Sequence, residues 1–370
     1  MIELTEKNMV AVAKRENNTK RTYLVVNRLQ GKHIPVKGSD AFYVFDSLAQ
    51  QLKKEYNNER LLLVGFCETA TAIGSRLAVY LNSAYMQTTR EKIDNAEYLY
   101  FTESHSHATE QKLVKNDIDS IINNTDRIIF VEDEVTTGNT IMKIINIIEN
   151  TYTNKIKFSV ASLLNGMDSN SLNTYNSKGI NVHYLVKTDH SAYSDIADNY
   201  KGDGEYVTAD TSACGIEYTN VYDSYVNARR LTNGKSYADS CEKLFSFILG
   251  DNNFDSVKNA LIVGTEEFMY PALYTAAKLN ESGINAVSHS TTRSPIAVSS
   301  EEDYPVHKRF ELRSLYDNDR VTFLYDIKKY DLVIIITDAE NISDNGISSL
   351  VNALKSAGNN NIKLYRWCKK

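Results

Sequence analysis

Four short patterns occur twice in this chain, in the same order and about two hundred residues apart, which holds it to two domains of one design. The first sets Arg28-Leu29 and Gly31-Lys32 against Arg230-Leu231 and Gly234-Lys235, each ahead of a helical pattern that runs from about Asp40 or Tyr237. The second is an aliphatic run breaking into a turn, Leu62-Leu63-Val64-Gly65-Phe66-Cys67-Glu68 against Leu261-Ile262-Val263-Gly264-Thr265-Glu266-Glu267. Thr88-Thr89-Arg90 returns as Thr291-Thr292-Arg293, and Ile128 to Asp133 returns as Val333 to Asp338. The last three patterns stand 199, 203 and 205 residues from their counterparts, a drift that small loop insertions explain.

In each copy short aliphatic runs such as Leu61 to Val64, Ile128 to Val131, Phe158 to Leu164 and Val182 to Val186 alternate with amphipathic segments such as Ala70 to Leu81 and Thr140 to Ile148. Continuous apolar runs bounded by turns suit strands buried on both faces, and alternation with helices implies right-handed crossovers. The expected fold class is α/β: two tandem, related, doubly wound parallel-sheet domains. Residues 191–215 are rich in Ser, Tyr, Asp and Gly without period and read as a linker or arm. This divides the chain into 1–190, 191–215 and 216–370, and a length of 370 residues exceeds what one core usually holds.

Ligands of such sheets sit at the carboxyl ends of the strands, which directs attention to Gly65 to Thr71, Thr88 to Arg90 and Glu132 to Thr140. The most informative stretch is Ile128-Ile129-Phe130-Val131-Glu132-Asp133-Glu134-Val135-Thr136-Thr137-Gly138-Asn139-Thr140. A buried strand delivers acids to its end, and a Thr/Gly loop turns into a helix expected to start near Thr140. Backbone N–H groups, threonine hydroxyls and the positive end of a helix then surround one point, which suits a phosphate monoester. The carboxylates beside it suit the hydroxyls of a vicinal diol, because their charge repels phosphate. A ligand with both features is a ribose 5-phosphate. A plain strand–turn–helix with solvated acids is the bland alternative; a receiver domain, the other, carries its acid pair near the start of a domain.

This stretch closely resembles the phosphoribosyl-diphosphate loop of type I phosphoribosyltransferases. The resemblance implies that Glu132 and Asp133 hold the ribose hydroxyls and that Thr136, Thr137, Gly138, Asn139 and Thr140 hold the 5-phosphate. It also implies a diphosphate loop at Cys67, Glu68, Thr69, Ala70 and Thr71, with Arg90 as the cation for diphosphate oxygens. Glu134 departs from the family pattern, and a third acid raises its neighbours' pKa values unless it points away or meets a cation. His105 and His107 lie in a polar stretch, Glu103 to Glu110, where related enzymes carry a mobile lid, and either could donate to the departing diphosphate. Lys32 and His33 lie where the superfamily forms a hood over the base. The expected donor is phosphoribosyl diphosphate, the acceptor a small-molecule base, and the cofactor Mg²⁺ carried on the donor, with no direct protein metal site.

The whole chain resembles a bacterial family that joins an orotate-phosphoribosyltransferase-like domain to a TRSP domain, whose motif stands here as Thr292-Arg293-Ser294-Pro295. That family is associated with tellurium-type stress resistance and the synthesis of a nucleotide-like metabolite. Thr136 stands where enzymes for 6-oxopurines generally place an aspartate, which argues against hypoxanthine or guanine as acceptor. The second copy reads Thr337-Asp338 and then Asn341-Ile342-Ser343, so it keeps neither the acid pair nor the phosphate loop. Its Arg293 either binds an anion or pairs with an acid. Two readings of the first copy stay open: an enzyme, and a non-catalytic sensor of the donor or a nucleotide.

Composition narrows the partners. A formal net charge of −6 with scattered lysines and arginines leaves no basic stripe for nucleic acid. No apolar run is long enough to cross a bilayer, and the first residues lack a secretory pattern, so the expectation is a cytoplasmic protein. Cys67, Cys214, Cys241 and Cys368 show no paired spacing for zinc or disulfides. The expected assembly is a homodimer, or a pseudo-dimer made within one chain by the second copy.

Overall fold

A computed structural model describes residues 2–16, 21–101 and 111–370. The chain forms two compact units, neither continuous in sequence. One consists of Tyr43–Thr188 with Val226–Ser240, the other of Met1–Phe42, Asp189–Tyr225 and Cys241–Lys370.

The first unit is built on a six-stranded sheet in the order Asn181–Lys187, Lys157–Asn165, Arg127–Val135, Leu61–Gly65, Ala84–Gln87 and Thr232–Asn233. The first five run parallel, and the short last strand closes the edge antiparallel. Leu62 to Val64, Ile128 to Val131 and Val160 to Leu164 are buried, as strands covered on both faces require. Helices Thr71–Leu81 and Asn139–Thr151 return the chain between parallel strands. The latter buries Ile141, Ile144, Ile145 and Ile148, a stripe at intervals of three and four that lies along one helical face. A hairpin of Tyr98–Phe101 and Gln111–Val114 stands outside the sheet.

The second unit has a sheet of the same plan, in the order Thr219–Val221, Ile362–Trp367, Leu332–Thr337, Asn259–Gly264, Asn285–Ser290 and Val36–Lys37. Again five strands are parallel and the last is antiparallel. A hairpin of Lys308–Arg313 and Val321–Tyr325 is extended by Glu205–Thr208, parallel to its first strand.

Packing crosses the boundaries expected from sequence. Val36–Lys37 pairs with Asn285–Ser290, while Thr232–Asn233 pairs with Ala84–Gln87, so each short edge strand joins the sheet of the other sequence half. A glycine follows each of these strands because backbone lies against it: a Cβ on Gly38 would stand 2.3 Å from the Ala277 nitrogen, and one on Gly234 2.0 Å from the Ala78 oxygen. Both glycines open helices, Gly38–Tyr56 and Gly234–Asp251. The counterpart of Gly234 is therefore Gly38, not Gly31, which sits in a left-handed turn at φ 78°. The expected irregular arm at 191–215 also holds regular structure, helix Tyr193–Asn199 and strand Glu205–Thr208.

Candidate active site

The acids lie inside a strand rather than past its end. Arg127–Val135 is nine residues long because its neighbour Lys157–Asn165 continues beside it, setting Glu132 opposite Ser162 and Val135 opposite Asn165. On its other side Leu61–Gly65 stops, with Gly65 opposite Val131. The acids thus emerge where one neighbouring strand has ended and turned into the loop Phe66 to Ala70. Alternation along a strand puts Asp133 on one face and Glu132 and Glu134 on the other.

That loop meets Asp133 directly: the Thr69 hydroxyl donates to its Oδ1 at 2.9 Å. Burial first, then the negative charge of Glu134, push the Asp133 carboxyl up to about 6, against the hydrogen bond from Thr69. The third acid therefore does what its position in sequence suggested. An aspartate held this way gains from any ligand that brings hydroxyl donors or positive charge.

The loop is shaped by Thr88, from the Thr-Thr-Arg triplet, and by Gln111, which no sequence pattern marked. The Cys67 N–H donates to Thr88 Oγ1 at 2.8 Å, and Gln111 Nε2 donates to the Cys67 carbonyl at 3.1 Å. Thr88 Oγ1 in turn donates to Gln111 Oε1 at 3.1 Å, so both sides of the Cys67 residue are held by one pair of side chains. The Ala70 N–H donates to the Phe66 carbonyl, and Thr71 Oγ1 to the Glu68 carbonyl. The peptide between Cys67 and Glu68 is cis. Of the five residues expected to face a diphosphate, Cys67 and Ala70 thus spend their amides on the shape of the loop. A signal for Thr88 was present in the recurring Thr-Thr-Arg triplet; none marked Gln111.

The phosphate-loop candidates run from the strand end into the helix, which starts at Asn139, one residue earlier than expected. Gly138 sits at φ 70° directly before it, and the Thr137 hydroxyl accepts the Asn139 N–H at 3.3 Å. The amides of the first turn have no intrahelical partner by geometry, so they and the helix dipole face the loop. Tyr175, buried and unforeseen, donates its hydroxyl to the Gly138 carbonyl at 2.6 Å. A Cβ on Gly138 would stand 2.5 Å from that hydroxyl and 2.6 Å from Met167 Cε, so only glycine fits.

Arg90 is half-buried and directly follows Thr89, which bridges to Lys112 of the hairpin. His105 and His107 lie outside the described residues. Lys32 and His33 require a correction. They belong to the second unit and are buried there, and Lys32 Nζ donates to the carbonyls of Glu266 and Thr291 at 2.9 and 3.0 Å. A lysine held by two backbone carbonyls is a packing group rather than a base-binding one.

Residues 9–191 match the family model described as phosphoribosyl transferase, and residues 235–354 match the one described as the TRSP domain C-terminal to it. The chain is a phosphoribosyltransferase enzyme with a TRSP domain. Among solved structures, adenine phosphoribosyltransferase from Rhodothermus marinus is 14% identical, with 49% of this chain and 96% of that chain covered at a TM-score of 0.36. The enzyme from Thermoanaerobacter pseudethanolicus is 18% identical, covering 49% and 97% at 0.36. That from Trypanosoma brucei, in complex with AMP, pyrophosphate and ribose-5-phosphate, is 14% identical, covering 49% and 77% at 0.35. No curated protein sequence matches the chain.

All the acid-strand and loop residues of the phosphoribosyltransferase domain lie in one compact unit, together with Val226–Ser240 from beyond the family match. In the TRSP half, strand Leu332–Thr337 holds the same place in its sheet as the acid strand. Its Thr337 hydroxyl accepts from Thr265, and Asp338 accepts from the hydroxyls of Tyr316 and Tyr225 at 2.7 and 3.2 Å. Among the described residues no helix is long and apolar enough to cross a membrane.

Proposed function

We propose that this phosphoribosyltransferase moves a 5-phosphoribosyl group from its diphosphate to a nitrogenous base or similar nucleophile, using the site around Asp133. The observation that carries the reading is the hydrogen bond from Thr69 to Asp133, which joins a helix-opening loop to the acid strand at the carboxyl end of a parallel sheet. In this reading Glu132 and Asp133 accept the ribose hydroxyls, and the loop from Thr136 to Thr140 holds the 5-phosphate. Glu68, Thr69 and Thr71, with Arg90, face the diphosphate. Positive charge develops on the ribose ring as the glycosidic bond loosens, and carboxylates fixed beside the ring stabilise it without reorganising. The leaving diphosphate gathers negative charge beside the helix N-terminus and Arg90.

Magnesium belongs to the same proposal. Burial, and after it the negative charge of Glu134 at the same strand end, raise Asp133, and a divalent cation on the donor offsets that charge. When bound, the ion neutralises the leaving group. The acceptor is taken to be other than a 6-oxopurine, because Thr136 offers no carboxylate; orotate and related bases head the candidates. A nucleotide-like product serving a tellurium-type stress response is part of this reading. So is a cytoplasmic setting, where the four free cysteines stay reduced.

We also propose that the two halves descend from one duplicated domain that forms a pseudo-dimer, supported by the shared strand order and by the exchange of edge strands Val36–Lys37 and Thr232–Asn233. The activity is tested by incubating the protein with phosphoribosyl diphosphate and Mg²⁺ against a library of bases and measuring diphosphate release. Release with one acceptor and formation of its nucleotide is expected. Tight donor binding without release for any base would point to the sensor instead.

A further inference from the structure

In the TRSP half the turn after Asn259–Gly264 repeats the hydrogen bonds of the diphosphate loop. Thr88 N–H donates to the Gly65 carbonyl and Thr291 N–H to the Gly264 carbonyl; Cys67 N–H donates to Thr88 Oγ1 and Glu266 N–H to Thr291 Oγ1. Glu266 therefore stands where the first half has Cys67.

Its carboxylate is 2% exposed and surrounded by donors from separate segments. Arg320 Nη1 lies 2.8 Å and Arg293 Nε 3.3 Å from Oε2, and the Ser314 hydroxyl donates to Oε1. Arg293 also reaches Glu267 through Nη2 at 3.0 Å. A buried carboxylate is stable only when paired and hydrogen-bonded, which this one is. Two guanidiniums and a hydroxyl converging on two oxygens at the carboxyl ends of parallel strands are also the chemistry that recognises phosphate oxygens.

We propose that Arg293, Arg320 and Ser314 form a receptor for a phosphate or diphosphate group, and that the chain's own Glu266 carboxylate occupies it. Glu266 thereby latches the Ser314 to Arg320 connection of the hairpin and keeps external phosphoanions out of the TRSP half. The arginine of the Thr-Arg-Ser-Pro motif is then part of an anion site that is filled from within. This holds whether or not the first half transfers a phosphoribosyl group.

The test is chemical rescue in the full-length chain. Glu266→Ala removes the internal anion and should lower Tm; inorganic pyrophosphate should restore it saturably, by several degrees more than it shifts the wild type. Comparison with the wild type separates this from pyrophosphate binding in the first half. Glu266→Ala combined with Arg293→Met and Arg320→Met should lose the rescue. As an independent measurement, calorimetry of Glu266→Gly, which empties the site at a backbone φ of 49° that glycine adopts freely, should find one more equivalent of pyrophosphate bound than wild type. Folding of Glu266→Ala only with pyrophosphate present also supports the receptor. Rescue that survives loss of both arginines, variants that bind no additional anion, or variants that fail to fold even with pyrophosphate overturn it.

Discussion

Replacing Asp133 by Asn should make the ligand-free protein more stable while ruining its donor site. Asp133 is raised from 3.8 to about 6 by burial and by Glu134. Its folded-state value lies above the unfolded one, so the cost of ionising it is absent below about pH 4, grows between 4 and 6, and is complete above 6. A shift of this size corresponds to about 3 kcal/mol, an upper figure because the carboxyl is only partly shielded from water. Asparagine carries no charge, and its Oδ1 can still accept the Thr69 hydroxyl. At pH 8 the variant should gain up to roughly 6–12 °C in the Tm of this unit, and the gain should vanish near pH 4. Donor binding should move oppositely, weakening roughly 10- to 100-fold for a lost charge-assisted hydrogen bond. Thermal melts from pH 4 to 8, with calorimetric titration of the donor, measure both. A variant no more stable than wild type at pH 8, or one with unchanged donor affinity, would refute the reasoning.

Gly138→Ala should cost on the order of 1–3 kcal/mol, since the new Cβ meets Tyr175 and Met167 at a positive φ; a thermal melt unchanged from wild type would contradict this. Gln111→Leu removes the hydrogen bonds to Cys67 and Thr88 and should raise the KM for donor several-fold at about 0.5–1.5 kcal/mol per bond with a smaller effect on kcat; an unchanged KM would show that the loop holds its own shape. A chain ending at residue 190 lacks Thr232–Asn233 and Arg230, which holds Asp117 through two bonds of 2.7 Å. The strand Ala84–Gln87 is then an open edge, and the fragment should aggregate in size-exclusion chromatography; a soluble, fully active fragment would oppose the pseudo-dimer.

What could be read from sequence was what short stretches of chain specify by themselves. Buried parallel strands announce themselves as unbroken aliphatic runs, and the stretch from Ile128 to Thr140 names its acids, its threonines and its one indispensable glycine within thirteen consecutive residues. The recurrence of such runs two hundred or so residues later made the second sheet legible by the same local signal.

The tertiary structure decided everything that depends on residues far apart in the chain. Gln111 acts on Cys67 and Tyr175 on Gly138 only because sheet and hairpin bring them together, and neither carries a local mark. Lys32 was expected in a hood over the base, yet pairing of Val36–Lys37 with Asn285–Ser290 carries its segment into the second unit, where two carbonyls hold it. Glu266 looked like one acid among many until the fold set two arginines on it. Local pattern encodes which residues are buried and which secondary structure they take. Which partner a buried charge meets is set by long-range strand pairing, and that pairing leaves almost no trace in the residues next to it.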